Sequence, residues 1–271
     1  LELLQAHGYR VAMTGDGVND ALALKKAHVG IAMGIRGSEV AKQASDLILL
    51  DDNFATIRNA VEEGRRIFAN IRKFVNYLFT CNLAEVAIVF LATICFALKE
   101  PVLFPIQLLW INLLTDGLPA IALGLDPASK EIMNLPPRRK GEGIIDKKLA
   151  SLILGIGVEI ALVCMLAFYL SLSSGIEKAR TILFTLLVFS EFVRIAAIKE
   201  SERSSFFANK ILLLSIAVSL FLQVLLIYSP LAPVFKVVPL NASEWVTLFL
   251  FLSLIFALNL GTTRLINSLF S

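Results

Sequence analysis

Two sets of side chains in this sequence have types and spacings suited to chemistry. The first is the run Thr14-Gly15-Asp16-Gly17-Val18-Asn19-Asp20, which follows an apolar segment and precedes a helical one. Asp16 is expected at the carboxyl end of a strand, where open α/β sheets bind their ligands. A carboxylate there suits Mg²⁺, a hard cation that takes one or two carboxylates plus phosphate oxygens. Asn19 and Asp20 open the next helix and are placed to hold Mg²⁺, waters and one another. Gly15 and Gly17 are expected to permit a tight turn through φ values that other residues avoid. The plainer reading is an ordinary Asx-type turn. The full seven-residue run in a strand–turn–helix context favours phosphate chemistry over it.

The second set lies in apolar sequence. Glu85, Asp116 and Glu191 each sit inside a hydrophobic stretch, where a carboxylate costs about 2.5–3.5 kcal/mol on insertion scales. Such residues face a bundle interior and serve transport. Asn82 and Glu85 are spaced i, i+3 and share a helix face. Asn112, Thr115 and Asp116 are spaced i, i+3, i+4 and share another. Gly117 and Pro119 follow Asp116, and the proline ring clashes with the carbonyl of Thr115. The helix is expected to open there and release main-chain oxygens, as helices lining ion sites do. Carboxylates, amides and freed carbonyls together suit Ca²⁺, which takes six to eight oxygens. The plainer reading is a proline kink with structural polar contacts. Two further charges leave alternatives open. Arg194, one turn after Glu191, would pair with it and remove it from ion binding, or Glu159 would be the arginine's partner, or Glu159 would face a polar crevice.

These residues need a membrane domain and a soluble one to hold them. The 271 residues are 57% hydrophobic and 17% charged, with mean hydropathy +0.76. Soluble domains average about 45–50% apolar and about 25% charged, so lipid solvates most of this chain. A net charge of +3 is too small to suggest nucleic acid as a partner. Cys81, Cys95 and Cys164 lack metal or redox spacing and read as packing residues. Residues 1–52 alternate strand and helix (strands at Tyr9–Thr14, Val29–Met33 and Asp46–Leu50), which implies a parallel sheet. Asp51-Asp52-Asn53 signals a helix start. From Ala55 to about Leu98 there is no proline, so one helix is expected to run from charged into apolar sequence, the alternative being a break near Gly64 or Asn70. Further spans are expected at 102–125, 149–172, 179–198, 210–229 and 244–263. Lys and Arg gather in the 126–148 and 199–210 loops and are sparse in the opposite ones (Lys99, Lys178, Arg180, Lys236), which puts residues 1–54 and the 126–148 loop in the cytoplasm. Asn241-Ala-Ser243 is a glycosylation sequon of a kind that is usually chance. The opening Leu-Glu-Leu-Leu, without Met, suggests a fragment whose upstream part is missing.

The segments Met13–Met33 (MTGDGVNDALALKKAHVGIAM), Asp51–Arg65 (DDNFATIRNAVEEGR), Asn82–Val86 (NLAEV) and Pro105–Gly124 (PIQLLWINLLTDGLPAIALG) carry a resemblance. The chain resembles the carboxyl-terminal third of type II P-type cation-transporting ATPases, closest to reticulum-type calcium pumps and their prokaryotic relatives. The likeness weakens after about residue 150. It implies a partial α/β Rossmann-like (HAD-type) phosphorylation domain followed by a six-helix transmembrane bundle. By position it implies a phosphorylation-domain segment at 1–54, a stalk helix with two ion-binding spans at 55–125, a cytoplasmic loop at 126–148, and four further spans at 149–271. It makes Asp16, with Asn19 and Asp20 beside it, the Mg²⁺ site. It makes Asn82, Glu85, Asn112, Thr115, Asp116 and Glu191 the ligands of the transported cation. It also implies ATP, bound mainly by domains absent here. The phosphorylated Asp of an Asp-Lys-Thr-Gly motif does not occur in these residues, and Arg194 stands where animal reticulum pumps have Asn.

The function expected is therefore part of a Ca²⁺ pump of the plasma membrane, moving one ion per cycle because Arg194 cancels charge near Glu191. Rival readings are a pump for Mn²⁺, Na⁺ or another cation, a membrane-anchored phosphatase of the same superfamily, and an inactive remnant.

Overall fold

The computed structural model describes residues 1–96, 98, 100–129, 131–137, 143–202 and 204–270. Six residues that enter the orientation count (Lys99, Lys130, Arg138, Arg139, Lys140 and Arg203) lie outside the described residues. Two compact units make up the chain: Leu1–Arg65 with Lys130–Glu142, and Arg66–Ser129 with Gly143–Ser271.

The first unit is built on a parallel sheet. Helix α1 (Glu2–Ala6) ends before Gly8, whose φ of 86° only glycine adopts freely. Then follow β1 (Ala12–Gly15), α2 (Ala21–Lys26), β2 (Val29–Met33), α3 (Glu39–Ala44) and β3 (Leu47–Leu49). The order is β1-β2-β3, with Ala12 opposite Val29 and Ile31 opposite Leu47. The first strand starts later than its apolar pattern suggests. Tyr9 belongs to the turn, is exposed, and donates its N–H back to Leu4 O at 3.1 Å. The central β2 is buried on both faces, as parallel strands are. Ala32 packs with Leu24 and Ala41 on one side, and Ile31 and Met33 with Leu49 on the other. After β3 the triplet Asp51-Asp52-Asn53 divides its work. Asn53 Oδ1 accepts from Ala55 N at the helix start, while Asp52 turns back to accept from the N–H groups of Gly34, Ile35 and Arg36.

Helix α4 (Phe54–Phe96) is 43 residues long. At 1.5 Å per residue it measures roughly 65 Å, about twice the apolar thickness of a bilayer. Neither Gly64 nor Asn70 interrupts it, because no proline removes a backbone donor.

The second unit holds the apolar part of α4 and five more helical stretches. These are α5 (Pro105–Trp110), joined through a π-helical turn (Ile111–Thr115) to α6 (Gly117–Gly124), then α7 (Lys147–Ser171), α8 (Ile176–Ser201), α9 (Lys210–Tyr228) and α10 (Ala242–Leu269). Among the described residues six helical stretches are long and apolar enough to cross a membrane, with Pro105–Gly124 counted as one. They fall within a few residues of the spans read from hydropathy. Helix α8 is the innermost and buries Glu191, Arg194 and Lys199. Asp146, Asn209 and Asn241 cap α7, α9 and α10 through side-chain oxygens. The sequon's asparagine is thus a helix cap, in a reciprocal box with Glu244. Cys81 and Cys164 are buried packing residues as expected, but Cys95 is exposed.

At one end of this bundle lies a charge cluster that the sequence pattern did not reveal. The fully buried Asp126 accepts from Lys199 Nζ at 2.7 Å and Lys73 Nζ at 2.8 Å, and Lys73 also meets Glu202 at 3.1 Å. Asn209 donates to Asp126 Oδ1, and Asn70 donates to its main-chain oxygen. Two ammonium groups and two carboxylates balance, and α4, α8 and the start of α9 are tied to the chain after α6. Burial alone would raise the Asp126 carboxyl, but the hydrogen bonds from Lys199 and Lys73 outweigh it and hold the group below its ordinary value. Asp126→Ala would strand the buried ammonium of Lys199 and leave Lys73 to Glu202 alone, so we expect a loss of about 3–5 kcal/mol in unfolding measured in detergent. A depressed carboxyl stabilises the fold above its unfolded pKa of about 3.9, and that contribution fades as pH falls through the lower folded value. The wild-type unfolding midpoint should therefore drop in acid more steeply than that of Asp126→Asn.

Candidate functional site

The phosphate-type loop closes on itself. Asp20 Oδ2 accepts the N–H groups of Asp16 at 3.1 Å and Gly17 at 3.0 Å, and Asp16 O accepts from Ser38 N at 2.8 Å. Asp20 is thereby the staple of the loop, with one oxygen committed to backbone donors. Among the described residues the Asp16 carboxylate and the Asn19 amide have no hydrogen-bond partner, and both are exposed at the end of β1. The glycines differ from expectation. Gly17 has φ −101°, and neither it nor Gly15 adopts positive φ. What Gly15 supplies is room: a Cβ there would lie 2.5 Å from Asp20 Cβ, inside the staple. A Cβ at Gly17 would meet nothing closer than 3.5 Å.

The intramembrane carboxylates converge. Glu85 on α4, Asp116 between the π-helical turn and α6, and Glu191 on α8 place carboxylate oxygens within 4.8 Å of one another, all buried. Backbone geometry produces this. Pro119 has no N–H to give the Thr115 carbonyl, and the turn before it widens so that Asp116 N donates five residues back to Ile111 O at 2.9 Å. The expected opening thus takes the form of a π-helical turn rather than an unwound break, a device common at functional sites. Asn112 donates to Glu85 Oε2 at 2.7 Å, which links α4 to the π-helical turn. Thr115 is buried beside Asp116, its hydroxyl donating to Ile111 O. Asn82 is not brought in: it is exposed and donates to Leu78 O of its own helix. On the other side of α4, Gly157 of α7 lets Leu83 approach to where a Cβ would sit 2.9 Å from it, which packs α7 tightly against the turn of α4 that carries Glu85.

Sequence reasoning missed Tyr77. Its hydroxyl donates to Asp116 Oδ1 at 2.7 Å, and the side chain is fully buried. The signal was present, since Tyr77, Cys81 and Glu85 recur every four residues along one face of α4. Among the described residues four carboxylate oxygens are buried without a hydrogen-bond donor: Glu85 Oε1, Asp116 Oδ2 and both oxygens of Glu191. Buried polar atoms are nearly always paired. Three carboxylates close together, with four oxygens that no donor reaches, form the kind of acceptor set that a hard cation requires. Arg194 does not supply the missing charge. Its guanidinium donates to Asn76 Oδ1 at 2.7 Å and Asn259 Oδ1 at 3.2 Å, and Asn259 in turn donates to Glu159. The arginine and Glu159 are partners through an amide, and Glu191 is left free.

The family described as "Cation transporting ATPase, C-terminus" matches residues 100–265, and the chain belongs to it. It is 43% identical over 249 residues to a calcium-transporting ATPase of Bacillus subtilis (strain 168), covering 89% of this chain and 28% of that one. Calcium-transporting ATPase 1 of Yarrowia lipolytica is 40% identical over 262 residues, covering 94% of this chain and 28% of the relative. An endoplasmic reticulum-type calcium-transporting ATPase 4 of Arabidopsis thaliana is 55% identical over 145 residues, 54% of this chain and 14% of the relative. The chain thus spans little more than a quarter of the length of the first two relatives.

The contrast between the two loop glycines is testable. Gly15→Ala forces Asp20 off its two donors and should destabilise the unit by about 1–3 kcal/mol, whereas Gly17→Ala should leave chemical denaturation of the protein within about 0.5 kcal/mol of wild type.

Proposed function

We propose that this chain is the carboxyl-terminal part of an ATP-driven Ca²⁺ pump, its first unit belonging to a Rossmann-like phosphorylation domain of HAD type. The observation that carries the reading is the convergence of Glu85, Asp116 and Glu191 with four unpaired oxygens at membrane depth. Three carboxylates with an amide and a hydroxyl beside them match the oxygen chemistry of Ca²⁺, and the named relatives are calcium-transporting ATPases.

The Asp16 carboxylate fits Mg²⁺, since it stands free at the strand end while Asp20 fixes the loop beneath it. Asp16 and Asn19 would hold the ion, which when bound neutralises phosphoryl charge during transfer. The aspartate that accepts phosphate from ATP belongs to the rest of the pump. Helix α4 carries Glu85 directly on its continuous backbone. Displacement of that helix changes the distance from Glu85 to Asp116 and Glu191, and the oxygens lose their common focus. The ion is then released on the far side, and protons neutralise the emptied acids. The sheet unit and the 126–148 loop face the cytoplasm, and the membrane is the plasma membrane.

Ca²⁺-dependent phosphorylation of the full-length pump tests the site. Glu85→Gln and Asp116→Asn should each raise the Ca²⁺ requirement at least about 100-fold, as expected when a buried charge partner is lost. Unaltered uptake in the double variant would remove the reading. Binding of ⁴⁵Ca²⁺ at equilibrium should give one ion per phosphorylation site, because the three carboxylates form a single cluster and Arg194 occupies the space one turn further along α8. Two ions per site would refute that stoichiometry.

A further inference from the structure

Arg194 is a full positive charge in the membrane interior, 1% exposed, one helical turn from Glu191. A guanidinium stays charged in any protein setting, and placed this deep it requires a counter-charge. The ion-binding carboxylates are the obvious partners, and they carry four oxygens without donors. Yet among the described residues no ion pair joins Arg194 to any of them. The guanidinium is turned the other way, toward Asn76 of α4 and Asn259 of α10.

The reason lies one link further out. Asn259 is fully buried, and its amide has only one orientation that satisfies both neighbours. Its oxygen must face the guanidinium, which has only donors, and its NH₂ must face the carboxylate of Glu159. That NH₂ donates to Glu159 Oε1 at 3.1 Å, and Thr262 Oγ1 donates to Oε2 at 2.6 Å. Both Glu159 oxygens are therefore engaged, by two residues of α10 lying on the face that meets α7. The three members form a chain in which the charge of Glu159 is relayed through a polarised amide to Arg194.

We propose that Glu159, with Asn259 as the link and Thr262 as its anchor, is a positioning residue that holds Arg194 away from the cation site and so keeps Glu191 open to Ca²⁺. This rests on the reading of Glu85, Asp116 and Glu191 as the cation site. With the charge on Glu159 removed, the carboxylate of Glu191, one turn away on the same helix, is the negative group to which Arg194 turns. The guanidinium then competes with Ca²⁺ for the same oxygens. The defect belongs to Arg194, although the substitution is on another helix.

The test is a double-mutant cycle in the full-length pump, read as the Ca²⁺ concentration giving half-maximal phosphorylation from ATP. Glu159→Gln should raise that concentration about tenfold, and the same substitution beside Arg194→Met should change it less than about twofold relative to Arg194→Met alone. A packing role for Glu159 would give the same loss in both backgrounds. Thr262→Val, which removes one hydrogen bond and no charge, keeps the test open if Glu159→Gln does not fold. It should give about a threefold shift that also disappears beside Arg194→Met. No shift from either substitution, or a shift that persists without the arginine, overturns the proposal. Glu85→Gln measured in parallel separates the two readings: if it too leaves Ca²⁺ dependence unchanged, the cation site itself is misassigned.

Discussion

A charge removed from water has to be answered by another charge or by donors, and the bundle is arranged around that demand. At one end Asp126, Lys73, Lys199 and Glu202 answer one another and form a neutral set. In the interior Arg194 and Glu159 are balanced through Asn259. Among the described residues the cluster of Glu85, Asp116 and Glu191 differs: three carboxylates lie together with no cationic side chain paired with them, and four of their oxygens are reached by no donor. The incompleteness of that cluster is informative because Asp126, Lys73 and Lys199 are paired with opposite charges and Arg194 meets two amide oxygens. Buried charges are costly and buried polar atoms are nearly always paired, and on that ground the cluster is proposed as the cation site.

Local backbone devices serve that arrangement. Pro119 deprives one carbonyl of its donor, the preceding turn widens, and Asp116 is delivered to the point where α4 and α8 present their acids. In the sheet unit the absence of a side chain at Gly15 lets Asp20 reach back under the loop, which leaves Asp16 free at the strand end. Both devices are paid for locally, in a widened helix turn and in a position no larger residue fills; the first leaves one Asp116 oxygen without a donor and the second leaves the Asp16 carboxylate unpartnered.

Much of this was legible beforehand. The parallel sheet followed from strand–helix alternation, and the six long apolar helices followed from hydropathy, because both periodicities are one-dimensional. Three carboxylates in apolar sequence stood out for the same reason. The errors are of two kinds. Some concern conformation that side-chain type underdetermines: a glycine at position 15 suggests a positive φ, whereas the structure needs the space it leaves. Others concern which way a helical residue faces. Asn82 shares a nominal face with Glu85 three residues on, yet it is exposed, while Tyr77 two turns away touches Asp116.

The sequence by itself determined the membrane character of the chain, the glycine-flanked acidic loop, and which acids lie in apolar sequence, since composition, spacing and the cost of burying charge need no partner to be read. Only the tertiary structure decided how those acids combine and what Arg194 faces. Glu85, Asp116 and Glu191 are separated by tens of residues, and the partners of Arg194 lie on α4 and α10. Nothing in linear spacing ranks one distant polar group over another as the answer to a buried charge; helix packing does, by bringing an amide between the arginine and Glu159 and leaving the other acids to face each other.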